Sequence, residues 1–351
     1  MKRVVFVTQQ FDPSHPLLAT TIPQVAAIAR HVDEIVIVAD KIVESALPEN
    51  GRGRSFSAGT KVERGARLIA AIAAEQPALR RDHGAVIVHM CPVYALLAAP
   101  IVRGSRRPLV MWWVHWKIDR VVIAAERVCT AVCTVDPRTF PMKSKKLHAL
   151  GQGIDMASFP VAARVPPAPG TPLRVLVGSR YSPAKGIENI LRAARIALDG
   201  GLDLRLLVHG PAGSEEERTE QERLGRLSRD LGLGEQATIG GPVLRSEMLE
   251  LLEQSDVLVN NARGGADRIA YEAAASRVPV LASNPAYESL IDPELFFDRD
   301  DPAELAARLR EIASLSPEQR LAVGDRLRER VERLHSTDSW SIGLLRAAGL
   351  A

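Results

Sequence analysis

The chain has 351 residues, 46% of them hydrophobic and only 4% aromatic, which is enough Leu, Val, Ile and Ala for two ordinary domains, each with its own core. No window reaches the ~18 unbroken apolar residues of a membrane span, and the apolar run in "MKRVVFVTQQFDP" is too short for a signal peptide. Three cysteines, Cys91, Cys129 and Cys133, are too few for a disulfide framework, so a soluble protein of the reducing cytoplasm is expected.

Strand-like runs in the first half, "RVVFVTQ", "EIVIVA", "AVIVHM", "LVMWWV" and "AVCTV", alternate with helical stretches such as "IPQVAAIARHV" and "ERGARLIAAIAAEQ". That alternation predicts βαβ units on a parallel sheet. The aperiodic "ARVPPAPGTP" (163–172) predicts a linker, after which the pattern restarts. The second half reads "LRVLVGS", "GIENILRAARIALDGG", "LRLLVHG", "EEERTEQERLGRLSRDLG", "ATIGG", "SEMLELLEQS", "DVLVNNA", "RIAYEAAAS" and "VPVLAS". The expected class is α/β, two doubly wound Rossmann-like domains facing across a cleft, with ligands at the carboxyl ends of the strands. The boundaries expected are 1–165 and 166–337, with a C-terminal helix, 338–351, crossing back to the first domain.

The net charge of +3 hides an asymmetry: residues 1–170 carry +9 and residues 171–351 carry −6. Either the basic half faces something anionic, or an Arg-rich composition has drifted. From residue 171 onward Lys185, in "SRYSPAKG" (179–186), is the sole lysine among 23 basic residues.

Three ordered motifs resemble those of the family 4 glycosyltransferases, retaining enzymes of the GT-B fold. "SRYSPAKG" is similar to the family's G-R-L-x-P-x-K-G, with Ser179 in place of the Gly. "GGADRIAYEAAASRVPVLAS" (264–283) resembles the segment that runs from E-x7-E into E-A-x-A-x-G-x-P-V-x-A-S, and "HALGQGIDMASF" (148–159) resembles the P-N-G-x-D turn. The resemblance implies transfer of a sugar from a nucleotide diphospho-sugar without metal or other cofactor. It also implies a glycan, lipid-linked or small-molecule acceptor, and no nucleic acid partner.

The same resemblance sets the candidate residues. Arg180 and Lys185 are expected on the diphosphate, whose charge grows as the glycosidic bond breaks; a planar fork and a compact ammonium suit phosphate. Glu272 is expected on the ribose hydroxyls, since a carboxylate accepts two hydrogen bonds. The bland alternatives are a solvated pair and an exposed carboxylate in a first helical turn. Gly264 stands where the family has its first Glu, Gly265 follows, and Ala266, Asp267 and Arg268 replace the family's F-G-L. These five are expected to line the donor; either Asp267 supplies the missing acceptor from a shifted position, or the donor sugar differs, or catalysis is weak or lost. The N-terminal Gly-Gly loop is also absent: "QQFDPSHPLLATT" offers Asp12, Ser14 and His15.

The resemblance also implies that His115, among Trp112, Trp113 and Trp116 in "VMWWVHWKID", faces the reaction centre, with a buried hydrogen-bonded histidine as the alternative. The tryptophans suit sugar stacking, interfacial lipid or core packing. The clusters "RGSRRP" (103–108) and "KSKK" (143–146) suit peripheral contact with an anionic membrane at its inner face, or plain solvation. Cys129 and Cys133 read as core residues, and "DRDD" (298–301) as a helix cap with Pro302 at the first helical position. Two other function classes stay open: a nucleotide-sugar binder without turnover, and a sugar-nucleotide epimerase on the same fold.

Overall fold

The computed structural model describes residues 1–15, 18–160 and 171–351, and the chain forms two compact units, Met1–Asp155 with Leu334–Ala351, and Met156–Arg333. The expected boundary at 165/166 and most of the expected linker lie outside the described residues.

The first unit comprises β1 (Lys2–Val7), β2 (Gln10–Phe11), α1 (Thr21–Ala29), β3 (Glu34–Ala39), β4 (Lys41–Ile42), β5 (Gly51–Ser55), α2 (Lys61–Arg81), β6 (His83–His89), α3 (Pro92–Gly104), β7 (Leu109–Trp112), α4 (Arg120–Val128), β8 (Ala131–Thr134) and β9 (Leu147–Ala149). Seven strands form one parallel sheet in the order β5-β3-β1-β6-β7-β8-β9. The central strands are near-continuous Val/Ile runs because both faces of a parallel sheet are covered by helices.

The second unit continues with β10 (Leu173–Gly178), α5 (Ile187–Asp199), β11 (Leu204–His209), α6 (Glu215–Asp230), β12 (Ala237–Ile239), α7 (Arg245–Gln254), β13 (Val257–Asn260), α8 (Arg268–Ala275), β14 (Val280–Ala282), α9 (Pro302–Ser314) and α10 (Pro317–Arg330). Its five parallel strands run β12-β11-β10-β13-β14. The last helix, α11 (Thr337–Ala347), belongs to the first unit: Ile154 N donates to His335 O at 2.6 Å, Thr337 N donates to Ile154 O at 2.8 Å, and Trp340 packs edge-on against Trp112. Among the described residues, no helix is long and apolar enough to cross a membrane.

Each apolar run singled out in the sequence forms the element its pattern predicts. Strand β5, "GRGRS", has no apolar side chain and is an edge strand held by charge. Glu75 on α2 is 1% exposed and receives Arg52 Nη1 at 2.9 Å, Arg52 Nη2 at 2.5 Å and Arg54 Nε at 2.5 Å. Arg52 also reaches Glu34 at 2.6 Å, and the buried Arg3 bonds both Glu34 and Asp82. Burial works to raise the Glu75 pKa, but Arg52 and Arg54 outweigh it and hold the carboxyl below its ordinary range.

One cation of each basic cluster has structural work. Arg107 donates to the carbonyls of Leu79 and Arg80 at the end of α2, and Lys146 to those of Glu126 and Arg127 at the end of α4, where orphan carbonyls and the helix dipole both favour a cation. Lys143 and Lys145 are exposed. Cys129 and Cys133 are buried, and burial pushes both thiols up, Cys129 to about 12. Asp301 caps α9 through the amides of Ala303 and Glu304, with Pro302 at the first helical position.

Removing the buried acid leaves the arginines around it without their shared partner. Glu75→Ala is expected to lower unfolding free energy by about 3 kcal/mol in urea denaturation at pH 7. The native pKa lies below the unfolded one, so the wild-type advantage is present above the unfolded carboxylate value and fades as pH falls through the native value. An unchanged midpoint would contradict the role given to this network.

Candidate anion site at the switch point of the second sheet

In the order β12-β11-β10-β13-β14 the chain winds outward from β10 to one side and then returns to β13 on the other, so the topological switch point lies between β10 and β13. Loops diverge there, and crevices at this place bind ligands in open α/β sheets. The register Val175↔Val257 and Leu176↔Leu258 sets the carboxyl ends Gly178 and Asn260 side by side.

After β10 the chain makes a short 3-10 turn, Pro183–Lys185, closed by Lys185 N on Ser182 O at 2.8 Å. Gly186 follows with φ +60, and a Cβ there would lie 2.5 Å from Asn261 Nδ2. Asn261 instead donates to Gly186 O at 3.1 Å, Arg263 N donates to Ala184 O at 2.8 Å, and Arg299 donates to Pro183 O and Asn261 O. The two loops are thereby stitched together.

Lys185 emerges from this turn with its side chain 16% exposed and places Nζ 2.6 Å from both oxygens of Asp267. Asn260 Nδ2 donates to Asp267 Oδ2 at 3.1 Å, and the Asp267 amide donates to the Tyr287 hydroxyl at 2.6 Å. Burial, reinforced by the Asp267 charge, pushes the Tyr287 pKa well above its ordinary value, so it stays a neutral phenol.

Glu272, 5% exposed, sits within α8 and not in its first turn. It accepts from Arg245 Nη1 at 2.9 Å and from Arg268 Nε at 3.0 Å, and Arg245 lies over the Phe159 ring. The carboxylate is therefore buried and paired, as the apolar residues that follow it require. Gly264 has φ +90, a conformation that a glutamate rarely adopts. Asn284 donates to Gly265 O at 2.9 Å, and Ala266 is buried.

Lys185, Asp267, Arg268 and Glu272 share the β10 and β13 loops and α8. Arg180 turns to a different acid: its side chain is 60% exposed, 3.3 Å from Glu217 in the first turn of α6. Arg180 and Lys185, both expected on the diphosphate, thus meet different acids, Glu217 and Asp267. His115 lies beyond the end of β7, exposed, its Nδ1 accepting from Lys117 N at 3.0 Å, which corrects the buried-histidine alternative. The tryptophans around it diverge: Trp112 is core, Trp113 is half-buried, and Trp116, 45% exposed, stacks on His115. Asp12 accepts from Ser14 and Lys41, led by Lys41, which hold its carboxyl well below the usual range.

Asn260, Arg245, Tyr287 and Arg299 escaped the sequence reading. Only Asn260 carried a signal, as a polar residue closing the apolar strand "DVLV". Arg245 and Tyr287 reach the site from 27 and 20 residues away along the chain.

Residues 160–330 match the family described as glycosyl transferases group 1. Over 150 residues the chain is 29% identical to D-inositol 3-phosphate glycosyltransferase 1 of Catenulispora acidiphila, covering 40% of this chain but only 35% of that relative. HepE of Anabaena, solved with UDP and glucose, aligns with TM-score 0.71 at 14% identity over 99% of both chains. Sucrose-phosphate synthase of Thermosynechococcus elongatus aligns with TM-score 0.71 at 16% identity over 100% of this chain and 98% of that one. The fold is GT-B. The whole-chain expectation of two Rossmann-like domains is met, and the second domain carries the family match.

Gly186→Ala is expected to destabilise the protein by about 1–3 kcal/mol, because the added Cβ meets Asn261 and favours a different φ. Urea denaturation checks this, and an unshifted midpoint would show that the loop stitching tolerates the change.

Proposed function

We propose that the chain is a glycosyltransferase that takes a nucleotide diphospho-sugar as donor, of family 4 type and of the hexosyltransferase class, retaining and independent of metal. The observation that carries this reading is the place of Lys185, the sole lysine of its half, on the turn after β10 and against the loop that opens α8. An ammonium at a switch point, beside a helix N-terminus, suits an anionic ligand with concentrated charge. HepE was solved with UDP and glucose, which makes UDP-sugars the first donors to test.

In this reading Lys185 binds the diphosphate and stabilises the charge that develops as the sugar C1–O bond breaks. Glu272, oriented by Arg245 and Arg268, receives the ribose hydroxyls. Asp267 and Glu272 already have cationic partners, so the acceptor hydroxyl's proton is assigned to the departing phosphate oxygen while the acceptor oxygen bonds C1 on the same face. His115 takes its assignment to turnover from the family resemblance, and the acceptor is a glycan, a lipid-linked sugar or a small molecule.

A second reading, a nucleotide-sugar binder without turnover, is favoured by Gly264 in place of the first Glu and by the Lys185 charge being matched by Asp267. Donor binding with neither transfer nor donor hydrolysis would select it.

Lys185→Ala is expected to weaken binding of UDP by roughly 10- to 100-fold, the value of one charge-assisted hydrogen bond, while uridine affinity stays within about twofold. Calorimetry on both ligands checks this; equal UDP affinities in mutant and wild type would remove Lys185 from the phosphate.

A further inference from the structure

We infer that Asp267 is the resident anion of this site, a specificity-determining residue that competes with the ligand's phosphate for Lys185. The inference rests on the donor reading above and adds a residue that works against binding.

Asp267 occupies the N-cap position of α8 with extended backbone, φ −68 and ψ 134, the geometry in which an aspartate accepts from the first helical amides. It makes no such side-chain bond. Both carboxylate oxygens lie instead 2.6 Å from Lys185 Nζ, with Oδ2 also taking Asn260 Nδ2. The main chain cannot follow the carboxylate away, because the Asp267 amide is fixed on the buried Tyr287 hydroxyl. The side chain therefore has two nearby places, the Lys185 ammonium and the N-terminal amides of α8. Both are places that attract anions.

A phosphate that bonds Lys185 must displace this carboxylate or share the ammonium with it. Sharing sets like charges within hydrogen-bond distance of one cation, which weakens binding. Displacement onto the α8 amides regains a cap bond but keeps the negative charge in the loop. In either arrangement Asp267 lowers the affinity for highly charged phosphate ligands.

Asp267→Asn keeps shape and capping ability and removes only the charge, so the fold is expected to hold, with a cooperative thermal transition as the check. The test is calorimetry of UDP and of inorganic pyrophosphate with wild type, Asp267→Asn, Lys185→Ala and the double variant. The expected result is about tenfold tighter binding of both probes to Asp267→Asn, with the gain lost when Lys185 is also removed. UDP binding that is unchanged or weaker in Asp267→Asn, in a protein whose wild type binds UDP, would overturn the competition and leave the donor reading standing. Tighter pyrophosphate binding with no UDP binding by any variant would uphold the competition and overturn the donor reading. Binding of neither probe to any of the four proteins would overturn both.

Discussion

The pair Lys185–Asp267 joins the two loops that the sheet topology forces apart. Strand order separates the chain after β10 from the chain after β13 only by the width of one strand pairing, and each loop brings one charge to that line. Around the pair the polar side chains are assigned in turn: Asn260 to the carboxylate, Tyr287 to the amide behind it, Asn261 and Arg299 to the carbonyls of the turn that carries the lysine. Buried polar groups around an ion pair are costly unless hydrogen-bonded, and the two loops spend much of their sequence on such bonds, although Asn261 Oδ1 and Arg299 Nε stay buried without a hydrogen-bond partner among the described residues.

The same logic recurs one turn into α8, where Glu272 is buried between two arginines. It recurs again at the far sheet edge of the first unit, where Glu75 gathers Arg52 and Arg54. Arginine supplies nearly all of these pairings, since its planar fork holds a carboxylate in fixed geometry. The one lysine of the second half is the exception, and it stands at the switch point against Asp267.

Much of the fold was legible because parallel strands are buried on both faces and must be written as apolar runs; "RVVFV", "EIVIV" and "LRVLV" leave no other reading. Strand β5 escaped because its stability comes from Arg52 and Arg54 on a helix-borne acid, a pairing that no local periodicity records. At the site, Lys185 and Glu272 were marked by motif and by oddity. What Lys185 touches was not, because Asp267 lies 82 residues away and its partner was settled by which strands neighbour which. Arg180 shows the reverse case: five residues from Lys185 in the chain, it is drawn to Glu217 by the start of α6.

The central claim, that the β10–β13 switch point holds the diphosphate of a sugar nucleotide, is tested most directly by calorimetry of the full chain against UDP, GDP and ADP with a chelator present. Binding of one nucleotide, with its nucleoside at least tenfold weaker, is the result this account predicts. No heat from any of the three, in a protein that melts cooperatively, would contradict it and leave Lys185 and Asp267 as a structural pair.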